Sequence, residues 1–191
     1  MRSGLSREGH WDEVLAKLSP LPVAEGKYTA LESHPDTWTN IASRHDHPEM
    51  LMAMGFFPPG KDVDRATMDA TLTGVLTQWD WATKIFGWDY PMVAMAATRL
   101  GRPADAVEIL LRGGPNNFYL PNGHCPVGSD TTRASQSAGR REIAVYLPAN
   151  GAFLSAAALM IAGWEGCTED FPGLPKDGTW KIRAEGLSRM P

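Results

Sequence analysis

Three clusters in this chain carry side chains that could do chemistry. The first is aromatic and acidic: Gln78-Trp79-Asp80-Trp81, followed by Gly87-Trp88-Asp89-Tyr90-Pro91. Indole rings beside carboxylates suit sugars. The apolar face of a pyranose stacks on an aromatic ring, and a carboxylate can bind a hydroxyl or move a proton. Asp89 stands just ahead of a proline-initiated helix. There the positive end of the helix dipole favours the ionised carboxylate, which suits a base rather than an acid. The same place is also that of an ordinary N-cap, and the tryptophans could equally be core, so both readings stand at this point.

The second cluster is Arg44-His45-Asp46-His47. A His-x-His pair can hold a metal, and His124-Cys125 could add ligands, but the spacing matches no recognised zinc pattern. A histidine bonded to substrate or backbone is the simpler reading of His47, so no metal and no other cofactor is expected. The third cluster is a pair of turns, Leu120-Pro121-Asn122-Gly123-His124 and Tyr146-Leu147-Pro148-Ala149-Asn150-Gly151. Asn and Gly tolerate positive φ, which alone would explain them. The functional reading is that both turns lie at one mouth and present Asn122, His124 and Asn150 to a polar ligand. Glu32 and Glu49 are further carboxylates in loop or helix-start positions. The nine Met residues, Met50, Met52, Met54, Met92 and Met95 among them, read as core fillers rather than a copper site.

The elements that must position these residues follow from spacing. Trp11, Val14, Leu15 and Leu18 form one apolar helix stripe, capped near Ser6 and stopped by Pro20 and Pro22. Residues 24–40 are polar and irregular, with a short extended piece at 27–30. His47-Pro48 opens a short helix with Met50, Leu51 and Met54 facing inward and Asp46 as a possible cap. Asp64 caps a longer helix in which Met68, Leu72, Val75, Leu76 and Trp79 repeat. Pro91 begins the next, ending at Gly101, and Pro103 restarts another at once, so the two fold back as an αα-hairpin. Asn150 caps a last helix, nearly uncharged and closed by Gly163. In the tail, Trp180, Ile182 and Ala184 alternate with Lys181, Arg183 and Glu185, which is the period of a strand.

This is an all-α pattern of helix hairpins, with one short β-strand at the C-terminus and the chemistry carried on loops. The 191 residues suffice for a real core, and 43% hydrophobic with 21% charged residues are globular values. A net charge of −4 argues against nucleic acid as a partner, since phosphate neutralisation needs clustered Lys and Arg. No apolar run is long enough to cross a bilayer, so no membrane partner is expected. Two cysteines, Cys125 and Cys167, make neither a disulfide framework nor a zinc ribbon. There is no phosphate-binding glycine loop, nucleophile elbow or metalloprotease helix motif. Seven Trp is a high count for this length and needs a reason.

Several strings resemble the C-terminal part of the six-hairpin glycoside hydrolases, the (α/α)6-barrel enzymes. They are His47-Pro48-Glu49-Met50-Leu51, Trp79-Asp80-Trp81, Gly87-Trp88-Asp89-Tyr90-Pro91-Met92, the two Asn-Gly turns, and the ending from Leu174 to Arg183. The likeness covers roughly residues 25–187. It implies an inverting glycosidase with two carboxylates on barrel loops, about 6.5–9.5 Å apart to admit the attacking water. The chain is similar to the alpha-L-fucosidase-type members, in which a turn before a late helix carries the base in an Asp-Gly-Asn string. Here that turn reads Pro148-Ala149-Asn150, so the resemblance leaves Asp89 as the catalytic carboxylate. Its substrate-binding companions would be His47, Trp81, Trp88, Asn122, His124 and Asn150, with an oligosaccharide or glycoside as ligand.

A full barrel needs about twelve helices of ~10–14 residues each. The resemblance therefore implies an incomplete toroid: a helical-hairpin domain over residues 1–170 and a turn-and-strand segment over 171–191. The missing N-terminal half would be a partner and would hold the general acid. The alternative is a non-catalytic helical module that binds a carbohydrate or a partner. The stretch from Val127 to Arg141, rich in Ser, Thr, Gly and Arg, has little to bury and lies between the two Asn-Gly turns, which suggests a flap over the ligand. Limited trypsin digestion should then cut first at Arg133, Arg140 or Arg141, and an oligosaccharide should slow it. Resistance at those arginines while other sites are cut would count against a flap.

Overall fold

The computed structural model describes residues 8–83, 85–127, 143 and 145–191. Along the chain lie α1 (Glu8–Ala16), a hairpin of β1 (Val23–Ala24) and β2 (Lys27–Tyr28), α2 (Ile41–Arg44) and a 3-10 turn (Glu49–Ala53). They are followed by α3 (Arg65–Gln78), α4 (Asp89–Arg99), α5 (Pro103–Leu111) and α6 (Leu147–Ala162). The class is helical, with one small antiparallel sheet pairing Val23 with Tyr28 and Ala24 with Lys27. Glu25 and Gly26 at its turn have φ of 54° and 72°, the pair of positive values that a two-residue hairpin turn requires.

α4 is the centre. Every residue from Asp89 to Arg99 is buried, and the helix packs on α5, α6 and the 3-10 turn. Ala94, Ala96 and Ala97 let neighbours approach closely, while Met92 and Met95 fill the gaps between them. Gly101, at φ 74°, ends the helix, its N–H donating to the Thr98 carbonyl and the Arg102 N–H to that of Ala97. Pro103 stands in the first turn of α5, so α4 and α5 form the hairpin that the spacing predicts. α3 begins as expected, with Asp64 Oδ1 accepting from the Thr67 N–H at 2.7 Å, and buries Met68, Leu72 and Val75.

Three tryptophans account for much of the excess. Each is buried, and each donates its indole N–H to a backbone carbonyl: Trp38 to Tyr28, Trp79 to Asp46 and Trp81 to Val75. A large apolar ring with one donor suits a junction where a loop with free carbonyls lies against a helix. Trp38 and Trp79 meet edge to face at 5.3 Å, so two of these junctions are joined.

Three expectations need correction. Residues 179–187 form no strand; the tail has one isolated bridge, Met190 to Trp164. Alternation supplies a ridge, with Ile182 against the core, but a strand also needs a neighbouring edge, and β1–β2 pair only with each other among the described residues. α6 starts at Leu147 with Pro148 in its first turn, so Asn150 lies inside the helix and is not its cap. Residues 49–53 wind as a 3-10 turn, although Met50, Leu51 and Met54 do face inward. The α1 stripe of Trp11, Val14, Leu15 and Leu18 is exposed. Cys125 and Cys167 are both free and buried. The stretch 128–141 lies outside the described residues.

Gly74 tests the packing of α3 on the hairpin region. A Cβ at this position would overlap the Trp38 ring. Gly74→Ala should therefore destabilise the fold by about 1–3 kcal/mol through overpacking, despite the ~1 kcal/mol by which Ala favours a helix. Gly60→Ala, with nothing within 4 Å of the new methyl, should leave the urea midpoint unchanged. A Gly74→Ala chain that unfolds at higher urea than the parent would contradict this packing.

Candidate functional site

The site is built where the loop after α2 meets the start of α4. The Asp46 carbonyl is held by Trp79, and the Arg44 carbonyl accepts from the Asp80 N–H at 3.1 Å. This ties residues 44–46 to the end of α3. The Asp46 carboxylate accepts from the His47 N–H at 2.8 Å, and Pro48 then turns the chain into the 3-10 segment. His47 is thereby set above the N-terminus of α4. Its Nδ1 lies 3.0 and 2.9 Å from the two oxygens of Asp89. The Phe86 N–H donates to Asp89 Oδ2 at 3.1 Å.

Asp89 is completely enclosed, while the His47 side chain is 30% exposed. Asp89 occupies the first turn of α4 and caps nothing; the residue at the cap position is Trp88, whose side chain makes no cap bond. The His47 ring is gripped by Phe86 and Trp88, at centroid distances of 4.6 and 4.9 Å. An imidazole facing a carboxylate through Nδ1 carries its proton there, which leaves Nε2 free to accept one. The nearest acidic oxygen to Nε2 is Asp46 Oδ1 at 4.0 Å, outside hydrogen-bonding distance.

The hydrogen bond that His47 donates to Asp89 raises the pKa of His47 above the ordinary 6.5, against the opposing effect of burial. Burial in turn pushes the Asp89 carboxyl up, with His47 and the Phe86 N–H pulling it back. Both directions describe one event: an enclosed dyad prefers to be neutral overall, so it holds one extra proton to higher pH than separate groups would. Glu49 lies at the rim, and its carboxyl is also raised, first by desolvation. His47, Asp46 and Glu49 line a cavity of about 270 Å³, together with Ser43, Asn40 and His34. No group of three or more His, Cys, Asp or Glu among the described residues is arranged to hold a metal.

The other residues expected at the site divide into three cases. Trp88 is there, packed on His47. Trp81 is not: it is buried against Tyr90 at 4.9 Å and its N–H is committed to Val75. Asn122, His124 and Asn150 do come together. Asn122 Oδ1 accepts from the His124 N–H, and Asn150 Nδ2 donates to the Gly123 carbonyl at 2.6 Å. These three are not among the described residues lining the His47 cavity. The link between the groups is Gly87, pressed against the Asn116 carbonyl, Cys125 Sγ and Ala149. Asp89 itself is enclosed, with both carboxylate oxygens on His47 Nδ1.

Phe86, Ser43 and Asn40 belong to none of the clusters that the sequence marks for chemistry. Nothing in the spacing could signal Phe86, because the segment 80–90 breaks helical periodicity and gives no face to read. No family model, no curated protein and no solved structure matches this chain.

The dyad has a clear pH signature. A raised folded pKa of His47 contributes stability that is complete below about 6.5, the ordinary value, and is lost as pH rises through the folded value. This contribution should therefore fall as pH rises above about 6.5. Asp89→Asn should flatten that dependence and move the His47 titration, followed by NMR of the imidazole carbons, to lower pH. An unchanged His47 titration in Asp89→Asn would show that the two side chains are not paired in solution.

Proposed function

We propose that this chain contributes the base side of a glycoside-hydrolysing site, within a helical-hairpin fold of the six-hairpin type. The observation that carries the reading is the His47–Asp89 dyad, closed on one side and open to a polar cavity on the other. About 270 Å³ is room for a single sugar ring and a water. In this scheme His47 Nε2 takes a proton from the water as its oxygen bonds to the anomeric carbon. Asp89 holds the ring in place and compensates the imidazolium that forms. Glu49, at the rim of the same cavity, can accept hydrogen bonds from sugar hydroxyls. The bond to the leaving oxygen breaks as a separate general acid protonates it. That acid belongs to the missing half of the toroid. The exposed stripe of α1 and the exposed Leu147 and Leu154 of α6 support an incomplete toroid, since such faces would meet further helices.

The second reading, a non-catalytic helical module for a carbohydrate or partner, is favoured by the complete enclosure of Asp89, as a structural His–Asp bond would also have.

Titration of the chain with neutral oligosaccharides, followed by NMR at His47, separates the two. On the catalytic reading, binding weakens about tenfold in His47→Ala, the loss of one hydrogen bond to a charged group. Hydrolysis of aryl glycosides stays negligible without the acid, because acid and base each contribute about 10²–10⁴-fold. Binding unaffected by His47→Ala would favour the non-catalytic module. No sugar binding at all would overturn both carbohydrate readings. Rapid turnover abolished by Asp89→Asn would place the acid within these 191 residues.

A further inference from the structure

The chain contains two Asn-Gly sequences, Asn122-Gly123 and Asn150-Gly151, and the fold places them differently. In such a pair the glycine nitrogen can attack the carbonyl carbon of the asparagine side chain before it. Glycine has no Cβ to hinder the approach, and its backbone is free to bring the two atoms together. Asn122 lies in a turn whose residues 119–124 are all exposed. Gly123, at φ 82°, has nothing within 4 Å of the place a Cβ would take. Asn122 Oδ1 accepts from the His124 N–H at 3.1 Å, so the carbonyl open to attack is already polarised. His124 Nδ1 stands 3.4 Å from Asn122 Nδ2, the nitrogen that such an attack expels.

Asn150 is held otherwise. Gly151 lies inside α6, where an N–H is bonded to the carbonyl four residues back and the backbone keeps the nitrogen turned from the preceding side chain. Asn150 Nδ2 is committed to the Gly123 carbonyl at 2.6 Å. Asn150 Oδ1 is buried and meets no donor among the described residues, so a charge developing on that oxygen has nothing to stabilise it. At Asn122 the obstacle is the bond from the Gly123 N–H to the Leu120 carbonyl, 2.8 Å long, which frees the nitrogen only when the turn opens. With every residue of that turn in water, the opening is a local one of low cost.

We propose that Asn122-Gly123 is a site of spontaneous modification, at which Asn122 loses its amide as ammonia, while α6 keeps Asn150-Gly151 intact. Hydroxide removes the amide proton of Gly123, and the nitrogen bonds to Asn122 Cγ. The carbonyl electron pair moves to Oδ1, where the His124 N–H faces it. The carbonyl then re-forms as the Cγ–Nδ2 bond breaks, and Nδ2 takes a proton from the protonated His124 ring and leaves as ammonia. Water opens the resulting cyclic imide at either carbonyl, which gives aspartate or an isoaspartyl link. Both products add a negative charge beside His124. The isoaspartyl link also puts an extra main-chain carbon ahead of Gly123, whose carbonyl Asn150 holds, and so shifts the tie between this turn and α6. The site is separate from the His47 cavity and does not rest on the glycosidase reading.

The intact chain is incubated at mildly alkaline pH, the released ammonia is measured, and peptides are mapped by mass spectrometry over time. Expected is progressive loss of the amide at Asn122 with none at Asn150. Unfolded in guanidinium, the same chain should lose both, because the protection of Asn150 comes from the helix. Gly123→Ala should slow the loss at Asn122 about tenfold, since a Cβ crowds the attacking nitrogen. Asn122→Gln, which keeps the glycine of the turn, should abolish it, and His124→Gln should slow it. Equal loss at both asparagines of the folded chain would show that the fold makes no distinction and overturn the proposal. No loss at Asn122 in the folded chain, with loss once unfolded, would show that the Leu120 bond shields the turn and overturn it equally. The parent rate in His124→Gln would overturn the proton transfer assigned to the ring.

Discussion

α4 is buried along its whole length, yet it carries an ionisable side chain at each end: Asp89 in its first turn and Arg99 in its last. Removing a charge from water costs several kcal/mol even after the protein relaxes around it. The helix itself offsets part of that cost. Its N-terminal N–H groups favour a carboxylate and its C-terminal carbonyls favour a cation, each by about 0.3–1 kcal/mol and more when partly buried. The remainder must come from side chains brought in from elsewhere in the chain. His47 is brought in at one end, and Gly55, Pro191 and Trp164 at the other. Much of the chain's path outside the helices can be understood as delivering those groups.

The two ends are solved differently, and the difference has chemical consequences. At Asp89 the compensation is specific and complete on one side: a histidine on both oxygens and a backbone N–H on one. Breaking such a pair by removing one partner costs about 3–5 kcal/mol, whereas an exposed pair such as Lys17 with Glu13 contributes about 0.2–1 kcal/mol. The dyad is therefore a structural bond between the loop after α2 and the start of α4. At Arg99 the compensation is the main-chain oxygens of Gly55 and Pro191 and an aromatic face. The first arrangement holds its side chains by specific pairing, the second by main-chain oxygens and a ring.

The helices were legible because each announces itself locally. Asp64 before Met68 and Leu72, or Gly101 followed by Pro103, fixes a start or a turn within a few residues. His47 and Asp89 were also both legible as chemical side chains. Their bond was not, because it joins positions 42 residues apart through loops with no period. The tail shows the converse error. Trp180, Ile182 and Ala184 alternate as a strand should, but alternation describes one chain, and a strand exists only with a partner. Trp81 was misplaced for a related reason. Beside Asp80 it looks like a sugar platform, and only its bond to Val75 and its contact with Tyr90 show that it closes the end of α3.

The tryptophans tie these points together. A loop that carries reactive groups must keep its backbone carbonyls satisfied without becoming a helix or strand. Trp79 does this for Asp46, the residue beside His47, and Trp38 does it for Tyr28 in β2. Because the two indoles also touch each other, the loop, the hairpin and α3 are fixed as a unit. His47 then has little freedom to leave Asp89: its backbone is held by Asp46 and its ring by Phe86 and Trp88. That preorganisation is what allows one imidazole nitrogen to be offered to a ligand while the other stays on an enclosed carboxylate. The aromatic excess in this chain thus serves position first, and the histidine at the cavity is already oriented by it.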